Sequence, residues 1–217
     1  MKIYILYDNN SRNTFKSGWG FSCWISSDKN ILFDTGWDST ILFHNIRKMN
    51  LNIRDIDILF LSHQHWDHTG CVAEILDLCS PDVFVPKSFS EHLKSEISQR
   101  TTLYEVENSA KISDGVYTTG ELGSWIKEQS LLIETDNGIN IITGCAHPGV
   151  DKIVEKAREF GRIHSIIGGL HDFDRFEILK NIDKIMPCHC TAYKDRISKL
   201  FPSKYREIMA GDVIEDI

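Results

Sequence analysis

The sequence predicts a protein of the α/β (α+β) class with two mixed β-sheets covered by helices. In the first part of the chain, short apolar segments are separated by polar turns, which is the pattern of antiparallel hairpins. In the later part, strand-like and helix-like segments alternate, which favours parallel pairing. Because each sheet must bury an apolar face, helices are expected to cover both sheets. For 217 residues we expect one domain, 1–217.

The first hundred residues contain strand and helix patterns in turn. Apolar segments bounded by turn residues predict strands at 2–7, 20–27, 29–36, 56–62 and 83–86. Apolar residues at helical spacing predict helices over 38–49, 72–79 and 88–100. Asp38 or Ser39 is the expected cap of the first helix, and Ser88 with Glu91 three residues later predicts a capping box.

The second half begins with short strand-like pieces between 103 and 135. Asn137-Gly138 predicts a tight hairpin turn between SLLIET (130–135) and INIITG (139–144). The later pattern predicts a helix at 150–160, a strand at 164–169, a short helix at 173–180 and a strand with a loop at 184–190. Residues 203–217 predict a short helix followed by an edge strand, DVIEDI (212–217).

Composition limits the possible partners. The formal net charge of −7 disfavours a general nucleic-acid binder, which needs cations to neutralise phosphates. The sequence has no secretory-leader pattern and no apolar run long enough for a membrane span, so we expect a cytoplasmic protein without a membrane partner. The six cysteines are expected to be reduced thiols. We expect a small-molecule substrate, and a homo-oligomer is left open.

One segment carries most of the predicted chemistry. Residues 61–70 read LSHQHWDHTG and contain His63, His65, Asp67 and His68 between a buried strand and a helix. Side chains two residues apart on an extended backbone point the same way, so His63 and His65 should converge. Asp67 and His68 should turn toward a second point. Imidazoles and a carboxylate in this arrangement are suitable ligands for two neighbouring metal ions. We favour this interpretation over a surface loop that is merely rich in histidine.

This segment resembles the HxHxDH motif of the metallo-β-lactamase superfamily. Further segments are similar to that family: ILFDTG (31–36), IITGCAH (141–147) and PCHC (187–190). Others resemble a subgroup that includes the dihydropterin-aminobenzene-phosphate synthases of the methanopterin pathway and many uncharacterised hydrolases: YDNN (7–10), WGFS (19–22), TGCAHPG (143–149), IGGLH (167–171) and CHCTAY (188–193). The resemblance implies a four-layer αββα sandwich of two mixed β-sheets flanked by helices.

The resemblance also implies metal ligands, position by position. His63 and His65 would bind the first metal, and Asp67 and His68 would bind the second. His189 corresponds to the last histidine of the superfamily and would complete the second site.

The remaining ligand of the first metal is assigned to His147, because the subgroup has a histidine at this place. Many superfamily members instead have a histidine before a strand and an aspartate in a Thr-Gly-Asp turn, where this chain has Lys127-Glu128-Gln129 and Thr143-Gly144-Cys145. Cys145 is the alternative ligand, since a thiolate binds zinc well. Asp34 resembles the buried aspartate that orients the ligand loops of the superfamily without binding metal.

Other residues are candidates for contact with the substrate. His171, at a predicted strand end, is interpreted as a catalytic and substrate-binding residue that contacts the substrate or an oxyanion, or else as a residue that orients a ligand. Trp66 either stacks on a planar ring of the substrate or packs against the protein. Lys194 and Arg196 either contact a phosphate or belong to a solvated charged surface, which is the simpler interpretation.

The resemblance implies an enzyme with two divalent metal ions, namely zinc, with manganese or iron as alternatives. Such a binuclear centre would activate water against an ester, thioester, amide or phosphodiester-type substrate, with Asp67 accepting a hydrogen bond from the nucleophile. The alternative is a transferase that condenses a pterin diphosphate with an aminobenzene ribose phosphate. A non-catalytic binding module is a third hypothesis, and the intact ligand set disfavours it.

Overall fold

The computed structural model describes residues 1–215 and residue 217. The chain forms two compact units: the first comprises residues 1–107 and 209–215, and the second comprises residues 108–208 and residue 217. Each unit contains one mixed β-sheet with helices, which confirms the predicted fold class of two mixed sheets flanked by helices. The expectation of a single domain stays a prediction.

The sheet of the first unit changes from antiparallel to parallel pairing at its middle. Its strands are β1 (Lys2–Tyr7), β2 (Ser22–Ser26), β3 (Asn30–Phe33), β4 (Ile58–Phe60), β5 (Asp82–Pro86), β6 (Leu103–Val106) and β13 (Val213–Ile214). Their order is β13-β1-β2-β3-β4-β5-β6. Pairing is antiparallel from β13 to β3 and parallel from β3 to β6. The predicted hairpin of β2 and β3 is confirmed.

Helices of the first unit cover one face of this sheet. They are α1 (Ser39–Lys48), α2 (Trp66–Thr69), α3 (Val72–Leu76) and α4 (Glu91–Ser98), with a 3-10 turn at Ile53–Asp55. Leu42 of α1, Ile75 of α3 and Ile97 of α4 belong to one buried cluster with Leu32 and Leu59 of the strands.

The predicted start of the helix over 88–100, which corresponds to α4, was wrong. Ser88 does not cap it, because the helix begins at Glu91 and the Ser90 hydroxyl accepts a hydrogen bond from the Leu93 amide. The cap residue therefore lies two residues further along the chain than predicted, and the predicted capping box of Ser88 with Glu91 does not form.

The second unit repeats the mixed pairing in a sheet of its own. Its strands are β7 (Ala110–Ser113), β8 (Val116–Thr118), β9 (Leu131–Thr135), β10 (Gly138–Thr143), β11 (Ile163–Gly169) and β12 (Lys184–Cys188), in the order β12-β11-β10-β9-β8-β7. Pairing is antiparallel from β7 to β10 and parallel from β10 to β12. The predicted hairpin turn at Asn137-Gly138 is confirmed by the β9–β10 pair.

Helices of the second unit are α5 (Val150–Ala157) and α6 (Lys194–Leu200), with a 3-10 helix at Phe176–Asn181. Val150, Ile153 and Val154 of α5 pack on the sheet because they recur on one helical face. In the described residues, no helix is long and apolar enough to cross a bilayer.

Two predictions near the C-terminus need correction. The predicted helix after Ser203 was wrong: the last helix is α6, which ends at Leu200, and residues 203–208 form turns and bridges. The predicted edge strand is present but short, covering Val213–Ile214. Asp216, which the prediction also included, lies outside the described residues.

Asp38 caps α1 and generates a first prediction. Its carboxylate accepts hydrogen bonds from the Thr40 hydroxyl at 2.7 Å and from the Thr40 amide at 2.8 Å, which lower the pKa of Asp38. We expect Asp38→Ala to reduce the free energy of unfolding in urea by about 1 kcal/mol. Asp38→Asn keeps an acceptor oxygen and should therefore reduce the free energy of unfolding by less than Asp38→Ala does. Equal losses in the two variants would contradict the capping role.

Candidate metal centre

The histidine-rich segment begins where β4 ends. His63 and His65 lie on the loop after this strand, and Asp67 and His68 lie in the short helix α2. His63 and His68 are fully buried, and Asp67 is nearly so. The His63 Nε2 atom is 3.0 Å from His65 Nδ1, and the ring centroids of His63 and His68 are 4.2 Å apart. The first unit therefore brings the four predicted ligands of this segment together.

Asp34 is hydrogen-bonded to two residues of this segment, Ser62 and His68. It follows β3 and is completely buried. Its carboxylate accepts hydrogen bonds from the Ser62 amide and the Ser62 hydroxyl, each at 2.7 Å, and lies 2.6 Å from His68 Nδ1. Burial raises the pKa of Asp34, and the contacts with His68 and Ser62 oppose that rise. These contacts agree with the predicted role of Asp34 as a residue that orients a ligand loop.

The hydrogen-bond network assigns the tautomers of two histidines. The Ser62 hydroxyl has one proton and donates it to Asp34, so it must accept from His63 Nδ1, 2.9 Å away. Asp34 likewise accepts a hydrogen bond from His68 Nδ1. In the neutral imidazoles, the Nε2 atoms of His63 and His68 therefore carry the lone pairs. An imidazole whose other nitrogen donates to a fixed acceptor is the usual form of a metal ligand.

The Asp-Thr-Gly turn after β3 fixes helix α2 through the backbone. The Thr35 amide and hydroxyl both donate to the His68 carbonyl, at 2.8 and 3.0 Å. The Gly70 amide donates to the Gly36 carbonyl. Gly36 has φ +63°, and a Cβ there would lie 2.4 Å from the Tyr7 ring. Glycine is therefore required where the turn meets Tyr7.

In the second unit, the candidate residues follow three parallel strands. Cys145 and His147 follow β10, His171 follows β11, and His189 and Cys190 follow β12. Because parallel strands end at the same edge of a sheet, the loops that carry these residues collect there.

Two groups of side chains are close together at this edge. Donor atoms of Cys145, His189 and Cys190 lie within 4.8 Å of one another, and the rings of His147 and His171 have centroids 5.1 Å apart. Cys145 and His189 are buried. Cys190 was not among the predicted ligands, although its place beside His189 in PCHC is visible in the sequence.

A cavity of about 510 Å³ lies at the same edge, and His147, His171, Phe173, Arg175 and Tyr193 are among the residues that line it. His171 Nδ1 is 3.0 Å from an Asp172 carboxylate oxygen, and this hydrogen bond lowers the pKa of Asp172. His171 thus borders a cavity of a size typical for small molecules. Its predicted contact with substrate stays a prediction.

The aromatic and basic candidates are at the surface. Trp66 is 58% exposed and packs edge to face against Trp37, with ring centroids 5.6 Å apart. More than half of the Trp66 surface is therefore accessible to a ligand. The Arg196 guanidinium lies 4.8 Å above the Phe176 ring, which gives it a structural contact. Lys194 begins helix α6.

Glu128 was missed as a functional candidate. The sequence shows only an acidic residue before a predicted strand, in KEQSLLI, whereas the structure buries its carboxylate against the loop that carries Cys145 and His147. The sequence feature that could have identified Glu128 is a charged residue shortly before an apolar strand.

A family comparison assigns the chain. Residues 21–150, more than half of the chain, match the family model described as the metallo-beta-lactamase superfamily. The chain belongs to the metallo-β-lactamase superfamily. The matched range contains the HxHxDH segment and extends through His147.

Two proteins of Methanocaldococcus jannaschii resemble this superfamily member along most of its length. One is 7,8-dihydropterin-6-methyl-4-(beta-D-ribofuranosyl)-aminobenzene-5'-phosphate synthase, which is 25% identical over 99% of this chain and 96% of that protein. The other, an uncharacterised protein, is 28% identical over 88% of this chain and 91% of that protein.

A solved structure supports the same placement. Tm1679, a metal-dependent hydrolase of the β-lactamase superfamily, has a TM-score of 0.80 and 26% identity, covering 99% of this chain and 98% of that chain. The predicted metallo-β-lactamase fold is therefore confirmed, and the comparisons support an enzyme whose class of reaction stays open.

The Asp34 network generates a second prediction. Asp34→Asn places an amide nitrogen against the Ser62 donors and weakens the pairing with His68, so we expect the metal-free protein to lose about 3 kcal/mol of unfolding free energy. Asp77→Asn, which removes one partner of the surface pair with Arg100, should cost much less. Similar losses for the two variants in denaturant titrations would contradict the structural role of Asp34.

Proposed function

We propose that this chain is a metal-dependent hydrolase with a binuclear metal centre. The observation that carries the proposal is the HxHxDH segment of a metallo-β-lactamase superfamily member, in which buried hydrogen bonds with Ser62 and Asp34 fix the imidazole rings of His63 and His68. The substrate is a small molecule with an ester, thioester, amide or phosphodiester-type bond. A net charge of −7 disfavours nucleic acid as the substrate.

The ligands are proposed from the superfamily motif. His63, His65 and His147 would hold the first metal, and Asp67, His68 and His189 would hold the second. Cys145 is the alternative to His147. Imidazole and carboxylate donors suit zinc, and manganese or iron are the alternatives.

The donor chemistry of the first unit fits this assignment. His63 Nε2 and His65 Nδ1 are 3.0 Å apart, so nitrogens of the two rings lie close enough together to be ligands of one ion. Divalent metals bound by such donors lower the pKa of water toward about 7 and polarise the bond under attack.

The remaining steps belong to side chains of this chain. A carboxylate oxygen of Asp67, in the first turn of α2, would accept a hydrogen bond from the attacking water and so orient it. His171, on the wall of the cavity, would contact the substrate oxygen. Trp66, which is largely exposed, would stack on a planar group of the substrate.

A second candidate function is favoured by the similarity to the Methanocaldococcus synthase, which extends over 99% of this chain. The chain would then be a transferase that condenses a pterin diphosphate with an aminobenzene ribose phosphate. The same ligands would serve this reaction, because bound metal would stabilise the diphosphate leaving group instead of activating water.

The metal content tests both candidates. Purified protein should contain close to two equivalents of zinc, manganese or iron per chain, and a chelator should remove the activity, which the metal should restore. Metal content well below one equivalent, after growth and purification with metal present, would contradict the metal-dependent proposals together.

The role of the HxHxDH segment is tested by His65→Ala. We expect at least a hundredfold loss of kcat and loss of bound metal, because the change removes one imidazole ligand. His44→Ala is a matched control, since His44 lies on α1 and contacts the Thr14 carbonyl. A His65→Ala enzyme with the wild-type rate would show that this residue is misassigned.

Substrate assays distinguish the hydrolase from the transferase. The hydrolase proposal predicts turnover of esters, thioesters, amides or phosphodiesters without a second substrate. Condensation of a pterin diphosphate with an aminobenzene ribose phosphate, in the absence of all hydrolysis, would reject the hydrolase in favour of the transferase.

A further inference from the structure

Glu128 is a buried acidic residue that the proposed chemistry does not use. It lies three residues before β9 and has 1% relative exposure. A carboxylate is costly to bury unless it is hydrogen-bonded. The hydrogen-bond donors around the Glu128 carboxylate therefore indicate its role in the second unit.

The Glu128 carboxylate is bound by one loop, the segment Thr143–His147, which we call the ligand loop. Oε1 accepts four hydrogen bonds at 3.0 Å, and Oε2 accepts one at 2.9 Å. The donors to Oε1 are the Thr143 hydroxyl and the amides of Gly144, Cys145 and Ala146, and the donor to Oε2 is the His147 amide.

Four successive amides that point at one anion form a nest, a backbone arrangement that binds negative charge. The nest requires an unfavourable conformation here, since Ala146 has φ +58°. A non-glycine residue in the left-handed region costs about 1–3 kcal/mol. Charge-assisted hydrogen bonds are stronger than neutral ones, so the carboxylate can stabilise a loop that the backbone alone would not favour.

The ligand loop carries two side chains at the candidate site, Cys145 and His147. Each of them has its own backbone amide bound to Glu128. A shift of the carboxylate would therefore move both residues at once, without any contact between Glu128 and a bound ion.

We infer that Glu128 is a positioning residue that holds the ligand loop in the conformation that binds metal. This inference rests on the proposed function through the assignment of His147, or alternatively Cys145, as a metal ligand. Glu128 itself is not proposed as a ligand, because its two oxygens already accept hydrogen bonds from the ligand loop.

The test compares Glu128→Gln with the wild type in two measurements. The glutamine has nearly the same shape but lacks the charge, and its amide nitrogen would face either the His147 amide or the four donors to Oε1. In metal-free protein, we expect faster hydrogen exchange for the amides of residues 144–147. In titrations with Co²⁺, we expect a 10- to 100-fold weaker affinity, typical for loss of a residue that orients a ligand, and an altered visible absorption spectrum.

Thr118→Val is the matched control. The Thr118 hydroxyl donates to the Gln129 side chain at 2.8 Å and accepts from the Gly120 amide at 3.1 Å, so the change removes two buried hydrogen bonds close to Glu128. Neither of these bonds involves the ligand loop. We expect wild-type Co²⁺ affinity and spectrum for this variant, which separates positioning from a general loss of stability.

The outcomes separate the inference from the proposed function. Wild-type protein that fails to bind Co²⁺ contradicts the proposed function, whereas the exchange measurement still reports on the nest. If the amides of residues 144–147 exchange hydrogen in Glu128→Gln at the wild-type rate, or if this variant binds Co²⁺ with wild-type affinity, the inference is overturned and the proposed function stands. If Glu128→Gln does not fold, Thr143→Val, which removes one donor to Oε1, must weaken Co²⁺ binding several-fold. Unchanged binding in that variant also overturns the inference.

Discussion

The need to satisfy buried carboxylates is the constraint on which both candidate ligand segments depend. Asp34 and Glu128 are each almost completely excluded from water, and a buried charge must be hydrogen-bonded to be tolerated. In both units, the donors come from the segment that carries candidate ligands: Ser62 and His68 for Asp34, and the ligand loop for Glu128. Because each carboxylate is satisfied only when its segment has one conformation, core stability and the geometry of the candidate site are coupled.

The mixed sheets explain where these segments lie. In the first unit, β3 and β4 are parallel neighbours, so Asp34 and Ser62 leave the sheet at the same edge. In the second unit, β10, β11 and β12 are parallel, and the loops after them carry Cys145, His171 and His189. The antiparallel hairpins contribute the rest of each sheet. The candidate functional residues therefore lie at the ends of parallel strands, as they do in other α/β proteins.

The parts of the structure that depend on local sequence were predictable. The strands, the hairpin at Asn137-Gly138 and the convergence of His63 with His65 follow from periodicity, turn chemistry and spacing. The missed features depend on tertiary contacts. Glu128 becomes informative only when β10 brings the ligand loop beside it, fifteen or more residues later in the chain. The start of α4 was misplaced because Ser88 with Glu91 fits the capping-box pattern, whereas the helix is capped by Ser90, which has Leu93 three residues later.

Backbone strain marks the same strand ends. Asp34, Ala146, His171 and His189 have φ between +46° and +58°, a region that costs a non-glycine residue about 1–3 kcal/mol. A continuing strand would send successive side chains to opposite faces, whereas a left-handed residue turns the chain sharply at the edge of the sheet. The hydrogen bonds to Asp34 and Glu128 oppose this cost where the chain turns at Asp34 and Ala146. The two buried carboxylates thus stabilise turns that the local sequence does not favour, and these turns give the candidate ligands their directions.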